Sequence, residues 1–99
     1  MERAETNRTV TNRPEQHRYV IENGSGEAGF AAYRTTDDTI VFTHTLIDEN
    51  KREKGMASDL VQWALDDVRD NTQLRVVAEC PYVKHWLEKH PDYQDLTRR

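Results

Sequence analysis

The stretch Thr39 to Ile47 constrains this chain more than any other. It is dense in β-branched residues and reads as a strand. Alternation puts Ile40, Phe42, His44 and Leu46 on one face and Val41, Thr43, Thr45 and Ile47 on the other. Both faces are largely apolar or hydroxyl-bearing, the pattern of a central strand covered on both sides.

The flanking sequence supplies candidates for its neighbours. Arg18 to Glu22 and Glu27 to Arg34 read as two strands of a hairpin, joined across Asn23-Gly24-Ser25-Gly26, whose residues accept the backbone of a tight turn. In the second strand Ala28, Phe30 and Ala32 are expected on one face, and Gly29, Ala31 and Tyr33 on the other. Downstream of Gly55, the residues Ala57, Leu60, Val61, Ala64, Leu65 and Val68 follow one stripe of an amphipathic helix. Leu74 to Glu79 reads as another strand. Pro81 suits the first position of a second helix, and Pro91 disfavours helix at His90. The expected order is βββαβα: one α/β (α+β) domain with a mostly antiparallel sheet of four to five strands and two helices.

Length and composition bound the rest. The 99 residues suit one domain. Met1 to Gln16 is nearly all polar, so residues 1–16 are expected to be a polar, partly flexible segment and residues 17–97 the packed domain. A formal net charge of −4 without a long basic cluster disfavours non-specific nucleic-acid binding. A lone cysteine, Cys80, forms no intramolecular disulfide and fits a reducing cytoplasm. No apolar run approaches the roughly 20 residues that span a bilayer, and Met1-Glu2-Arg3-Ala4-Glu5 has no signal-peptide core. The expectation is a soluble cytoplasmic protein.

Two places carry chemistry. Arg52-Glu53-Lys54-Gly55-Met56-Ala57 lies between a strand and a helix. A helix start offers unpaired N–H groups and partial positive charge, which suit phosphate oxygens. Gly55 permits close approach or positive φ, and Arg52 and Lys54 add charge. A glycine in a solvated turn satisfies the same spacing. The second place is Cys80-Pro81, where a thiol at a helix start is favoured as thiolate. His44 is able to accept a proton or orient a partner. The same residues also read as a small buried hydrophobe and a hydrogen-bonded core histidine. His17, His85 and His90 lack ligand spacing with Cys80, so no metal site is expected.

These motifs together resemble a family. Thr39-Ile40-Val41-Phe42-Thr43-His44-Thr45 resembles the central strand of very short GCN5-related N-acetyltransferase (GNAT) proteins of the YjdJ type. Arg52-x-x-Gly55-x-Ala57 is similar to the family's pyrophosphate signature. Cys80-Pro81-Tyr82-Val83 and His90-Pro91-x-Tyr93-x-x-Leu96 resemble the subfamily's ending, and Glu27-Ala28-Gly29-Phe30-Ala31-x-Tyr33-Arg34 its hairpin. The resemblance covers Arg18 to Leu96. It implies acetyl-coenzyme A as cosubstrate and no metal. The pyrophosphate would lie at the loop before the first helix, with Arg52, Lys54, Gly55, Met56, Ala57 and Ser58 as its binding residues. The pantetheine arm would lie between splayed strands near Cys80 and His44. Glu53 stands where the subfamily often has glycine, so its carboxylate must point away from a bound pyrophosphate.

The reading is an acetyl-CoA-dependent acyltransferase toward an amine acceptor, without nucleic-acid or membrane partners. Either His44 deprotonates the amine for direct transfer, or Cys80 takes the acetyl group first. The rival reading is a non-catalytic CoA-binding or protein-interaction module, motivated by the missing amino-terminal helices that usually help form the acceptor site.

Overall fold

The computed structural model describes residues 8–24 and 26–99. Five strands, β1 (Thr9–Arg13), β2 (Arg18–Asn23), β3 (Gly26–Thr35), β4 (Thr39–Ile47) and β5 (Arg75–Ala78), form one sheet in sequential order. Neighbours are antiparallel except β4 and β5, which are parallel. A parallel neighbour needs a crossover, and α1 (Met56–Asn71) provides it. Helix α2 (Pro81–Glu88) and a 3₁₀ helix (Pro91–Arg98) follow β5.

Each helix forms where its sequence dictates. Met56, Leu60, Val61, Ala64, Leu65 and Val68 make the buried stripe of α1. Its exit is closed by Thr72, whose hydroxyl donates to the Val68 carbonyl at 2.8 Å. The Arg99 guanidinium donates to the carbonyls of Arg69, Thr72 and Leu74, placing a cation at the negative end of the helix. Pro81 opens α2, as its missing N–H predicts.

The sheet begins earlier than the sequence pattern suggests. Thr9–Arg13 lies within the segment expected to be polar and flexible, yet it pairs along its length with β2. Val10 is its only buried residue. Polar anchors do the rest: the Tyr33 hydroxyl donates to Asn12 at 2.7 Å, and Arg13 pairs with Glu22 and Glu27. Residues 1–7 of that segment lie outside the described residues.

Two bulges rewrite the alternation. Between β2 and β3 the register shifts at Ile21/Glu22, so Ala28 joins Ala31 and Tyr33 in the core. Between β3 and β4, Ala32 pairs with His44 but Tyr33 pairs with Phe42, leaving Thr43 as the extra residue. Core-facing positions on β4 therefore change from Ile40 and Phe42 to Ile47. His44 and Leu46, expected beside Phe42, are exposed instead.

The helices all lie on one side. Trp86 Nε1 of α2 donates to Ser58 Oγ of α1 at 2.8 Å, and Tyr93 Oη donates to Asp66 Oδ1 at 2.7 Å. Their apolar residues form one cluster with Tyr19, Ile21, Tyr33 and Phe42. Val20 and Val41 are also buried but belong to the opposite face, outside that cluster. There the second covering layer expected for β4 is replaced by side chains. Arg34, opposite Val41, reaches across β4 to Glu79 at 2.9 Å, and Arg18 lies 4.5 Å over the Phe30 ring. Such snorkelling stems shield valine while their charges stay in water.

Candidate active site

The connection after β4 is built from turns. Asp48 accepts from the Asn50 and Lys51 N–H groups, and Glu53 O accepts from Met56 N–H. Gly55 then takes φ 77° and caps α1 in the left-handed region, where a side chain would be strained. The first intrahelical bond is Asp59 N–H to Gly55 O at 3.0 Å. Among the described residues, the N–H groups of Gly55, Ala57 and Ser58 have no backbone acceptor. These orphan donors are what a helix start offers an anion.

Arg52, Lys54, Gly55, Met56, Ala57 and Ser58 line one cleft of about 300 Å³ with Glu53, Ile47 and Tyr82. The roles available to them differ. Met56 is fully buried and its N–H is taken by Glu53, so it anchors the loop rather than facing a ligand. Arg52 and Lys54 are exposed, and among the described residues their side chains form no hydrogen bond or ion pair. Ser58 Oγ accepts from Trp86, and its hydroxyl is also within hydrogen-bond reach of the Tyr82 phenol. The Glu53 carboxylate is held by Arg8 and Asn23, each at 3.2 Å.

The ladder between β4 and β5 ends at Phe42 opposite Ala78, while β4 continues to Ile47. The Phe42 carbonyl accepts from both Glu79 N–H at 3.0 Å and Cys80 N–H at 2.9 Å. Past that point the chains separate, and β4 faces the gap with an edge that β5 does not pair. Cys80 caps α2 at this divergence, is 4% exposed, and its Sγ lies 3.2 Å from Thr45 Oγ1. His44 lies on the open face of the sheet, with Nδ1 3.1 Å from Thr43 Oγ1. The bulge thus puts Cys80 and His44 on opposite sides of β4, and the structure does not bring them into contact.

Two residues beside the loop are not among the site residues expected from the sequence: Tyr82, which lines this cleft, and Arg8, which lines the neighbouring one. Tyr82 stands on the first turn of α2. Burial, then the Asp59 charge, raises its phenol above the ordinary value, with Ser58 opposing. Its place two residues after Cys80 is its only signal in the sequence. Arg8, described below, has none. A larger cleft of about 600 Å³ runs between β1 and α1, lined by Asp59, Asp66 and Trp63 among others. Its carboxylates are held by Arg8, which also lines it, and by the Tyr93 hydroxyl, and it lacks the unpaired N–H groups of a helix start, which suits a pyrophosphate poorly.

The parallel pair β4–β5 thus ends its ladder close to the start of α1. The model of the family described as GCN5-related N-acetyl-transferase matches residues 18–96, and the chain belongs to that family. No curated protein matches the chain. Among the described residues, no helix is long and apolar enough to cross a membrane, and no cluster of His, Cys, Asp and Glu is arranged to hold a metal ion.

Proposed function

We propose that this protein transfers an acetyl group from acetyl-CoA to an amine. The observation that carries the reading is the juxtaposition of the Gly55–Ser58 donors with the gap between β4 and β5. The N–H groups of Gly55, Ala57 and Ser58, the Ser58 hydroxyl and the free Arg52 and Lys54 charges would bind the pyrophosphate. The edge of β4 from Thr43 to Ile47 would receive the pantetheine arm, with Ile47 and Tyr82 supplying apolar wall. Bound there, the cosubstrate supplies a thioester whose C–S bond is broken by acyl transfer.

A gap between strands is accessible from both faces. On the helix side stand Thr45 and Cys80; on the open side stands His44. Direct transfer fits this separation. The amine approaches from the open face, His44 takes its proton, the new C–N bond forms and the thiolate leaves. Cys80, buried against Thr45 and without a base hydrogen-bonded to it among the described residues, then serves as binding wall rather than nucleophile. The acceptor is an amine of unspecified structure.

The test is acetyl transfer measured over a panel of amines, together with a CoA titration followed by backbone amide shifts. Shifts centred on Lys54 to Ser58, with turnover, support the reading. CoA binding without turnover on any amine would favour the non-catalytic module. No shift at millimolar CoA would remove the loop from consideration.

A further inference from the structure

Arg8 immediately precedes β1, far from the loop in sequence, yet its guanidinium is built into the loop. Nε donates to Glu53 Oε1 at 3.2 Å, Nη1 donates to Asp59 Oδ2, and Nη2 donates to the Lys54 carbonyl at 2.6 Å. Its side chain is 14% exposed. Nη1 lies 4.0 Å from the position a Gly55 Cβ would occupy.

A cation at a helix N-terminus works against the helix dipole, so the stability of α1 does not call for it. The loop's charge does. Without Arg8, the charges of Arg52 and Lys54 are balanced in number by those of Glu53 and Asp59, and the loop with the first turn of α1 has no surplus charge to offer an anion. Arg8 ties up both carboxylates and leaves Arg52 and Lys54 unopposed. The carbonyl bond adds geometry. In a planar trans peptide the C=O and the following N–H point in opposite directions. Holding Lys54 O toward Arg8 therefore aims Gly55 N–H away from Arg8, where that N–H has no acceptor among the described residues.

We propose that Arg8 is a positioning residue for pyrophosphate recognition, which neutralises Glu53 and Asp59 and sets the Lys54–Gly55 peptide. The inference rests on the CoA-binding reading above.

The experiment compares CoA with pantetheine, which lacks the pyrophosphate, by calorimetric titration of folded variants. Arg8→Gln should weaken CoA binding on the order of tenfold, as expected for a lost charge-assisted network, and leave pantetheine binding unchanged. In a Glu53→Gln/Asp59→Asn background, where nothing remains to neutralise, the same change should cost less than about threefold, leaving only the peptide-setting effect. This background also keeps the test informative if Arg8→Gln alone unfolds the chain. Equal CoA affinity of Arg8→Gln and wild type would overturn the inference. So would an undiminished loss in the neutralised background, which would make Arg8 a direct phosphate ligand. Failure of wild type to bind CoA is a separate outcome that defeats the functional reading itself.

Discussion

Replacing Gly55 by valine tests the loop where its geometry is least negotiable. Gly55 has φ 77°, and the space around its missing side chain is open except for Arg8 Nη1 at 4.0 Å. The penalty is therefore backbone strain rather than collision. An L-residue in the left-handed region costs about 1–2 kcal/mol, and β-branching pushes a strained site toward roughly 3 kcal/mol. In a domain this size each 1 kcal/mol moves Tm by about 4–8 °C, so Gly55→Val should melt on the order of 10–25 °C lower. If the loop relieves strain by abandoning positive φ, its N–H groups no longer converge, and CoA affinity should fall about tenfold, equivalent to about 1.4 kcal/mol. Asparagine tolerates the left-handed region, so Gly55→Asn should keep most of both properties. Thermal melts by circular dichroism and calorimetric CoA titration read the two effects separately. Equal losses for Val and Asn would refute the conformational argument. A folded Gly55→Val with wild-type affinity would take Gly55 out of the site.

Other consequences can be checked in the same way. A Cβ at Gly29 would lie 2.5 Å from Ile47 Cδ1 and from the Leu46 carbonyl, so Gly29→Ala should destabilise by about 1–3 kcal/mol in a chemical denaturation curve and weaken CoA binding through Ile47. The hydrogen bond from Arg69 holds the Asp95 carboxyl below its ordinary range, so its stabilisation is present above the unfolded value of about 4 and is lost as pH falls below it; Asp95→Asn should flatten that acid limb in urea melts run from pH 7 to pH 3. Cys80, at 4% exposure, should alkylate slowly in the native chain and more slowly still with CoA bound. Mass spectrometry after acetyl-CoA should find no acetyl group on Cys80, and Cys80→Ala should retain turnover; an acetylated Cys80 with a dead alanine variant would establish the covalent route instead.

Much of the fold was legible because its signals are periodic. The stripe from Leu60 to Val68 gave α1, the hydroxyl-rich run from Thr39 gave β4, and Pro81 marked the start of α2. Strand β1 carries one buried apolar residue, Val10, too few to make a period, and its polar anchors Asn12 and Arg13 acquire meaning only from Tyr33, Glu22 and Glu27 elsewhere in the chain. The 3₁₀ helix after His90 is similarly quiet, with Leu96 as its one buried side chain. The extra residue at Thr43 has no local signature, because it depends on the register against β3; strict alternation consequently set His44 beside Phe42. Within the candidate site, the glycine turn at Gly55 and the helix start after it are legible, since a helix start is a local object. Arg8 was not, since its contacts with Glu53, Lys54 and Asp59 exist only after the sheet forms.

The Phe42 carbonyl has a kinetic consequence. With both Glu79 and Cys80 N–H groups gathered on it, the β4–β5 ladder ends there. No strand has to be unzipped, and no ladder hydrogen bond broken, before a narrow ligand enters. If the pantetheine arm of the proposed cosubstrate binds along that edge, the observed association rate should rise in proportion to ligand concentration instead of levelling off at the speed of an opening step.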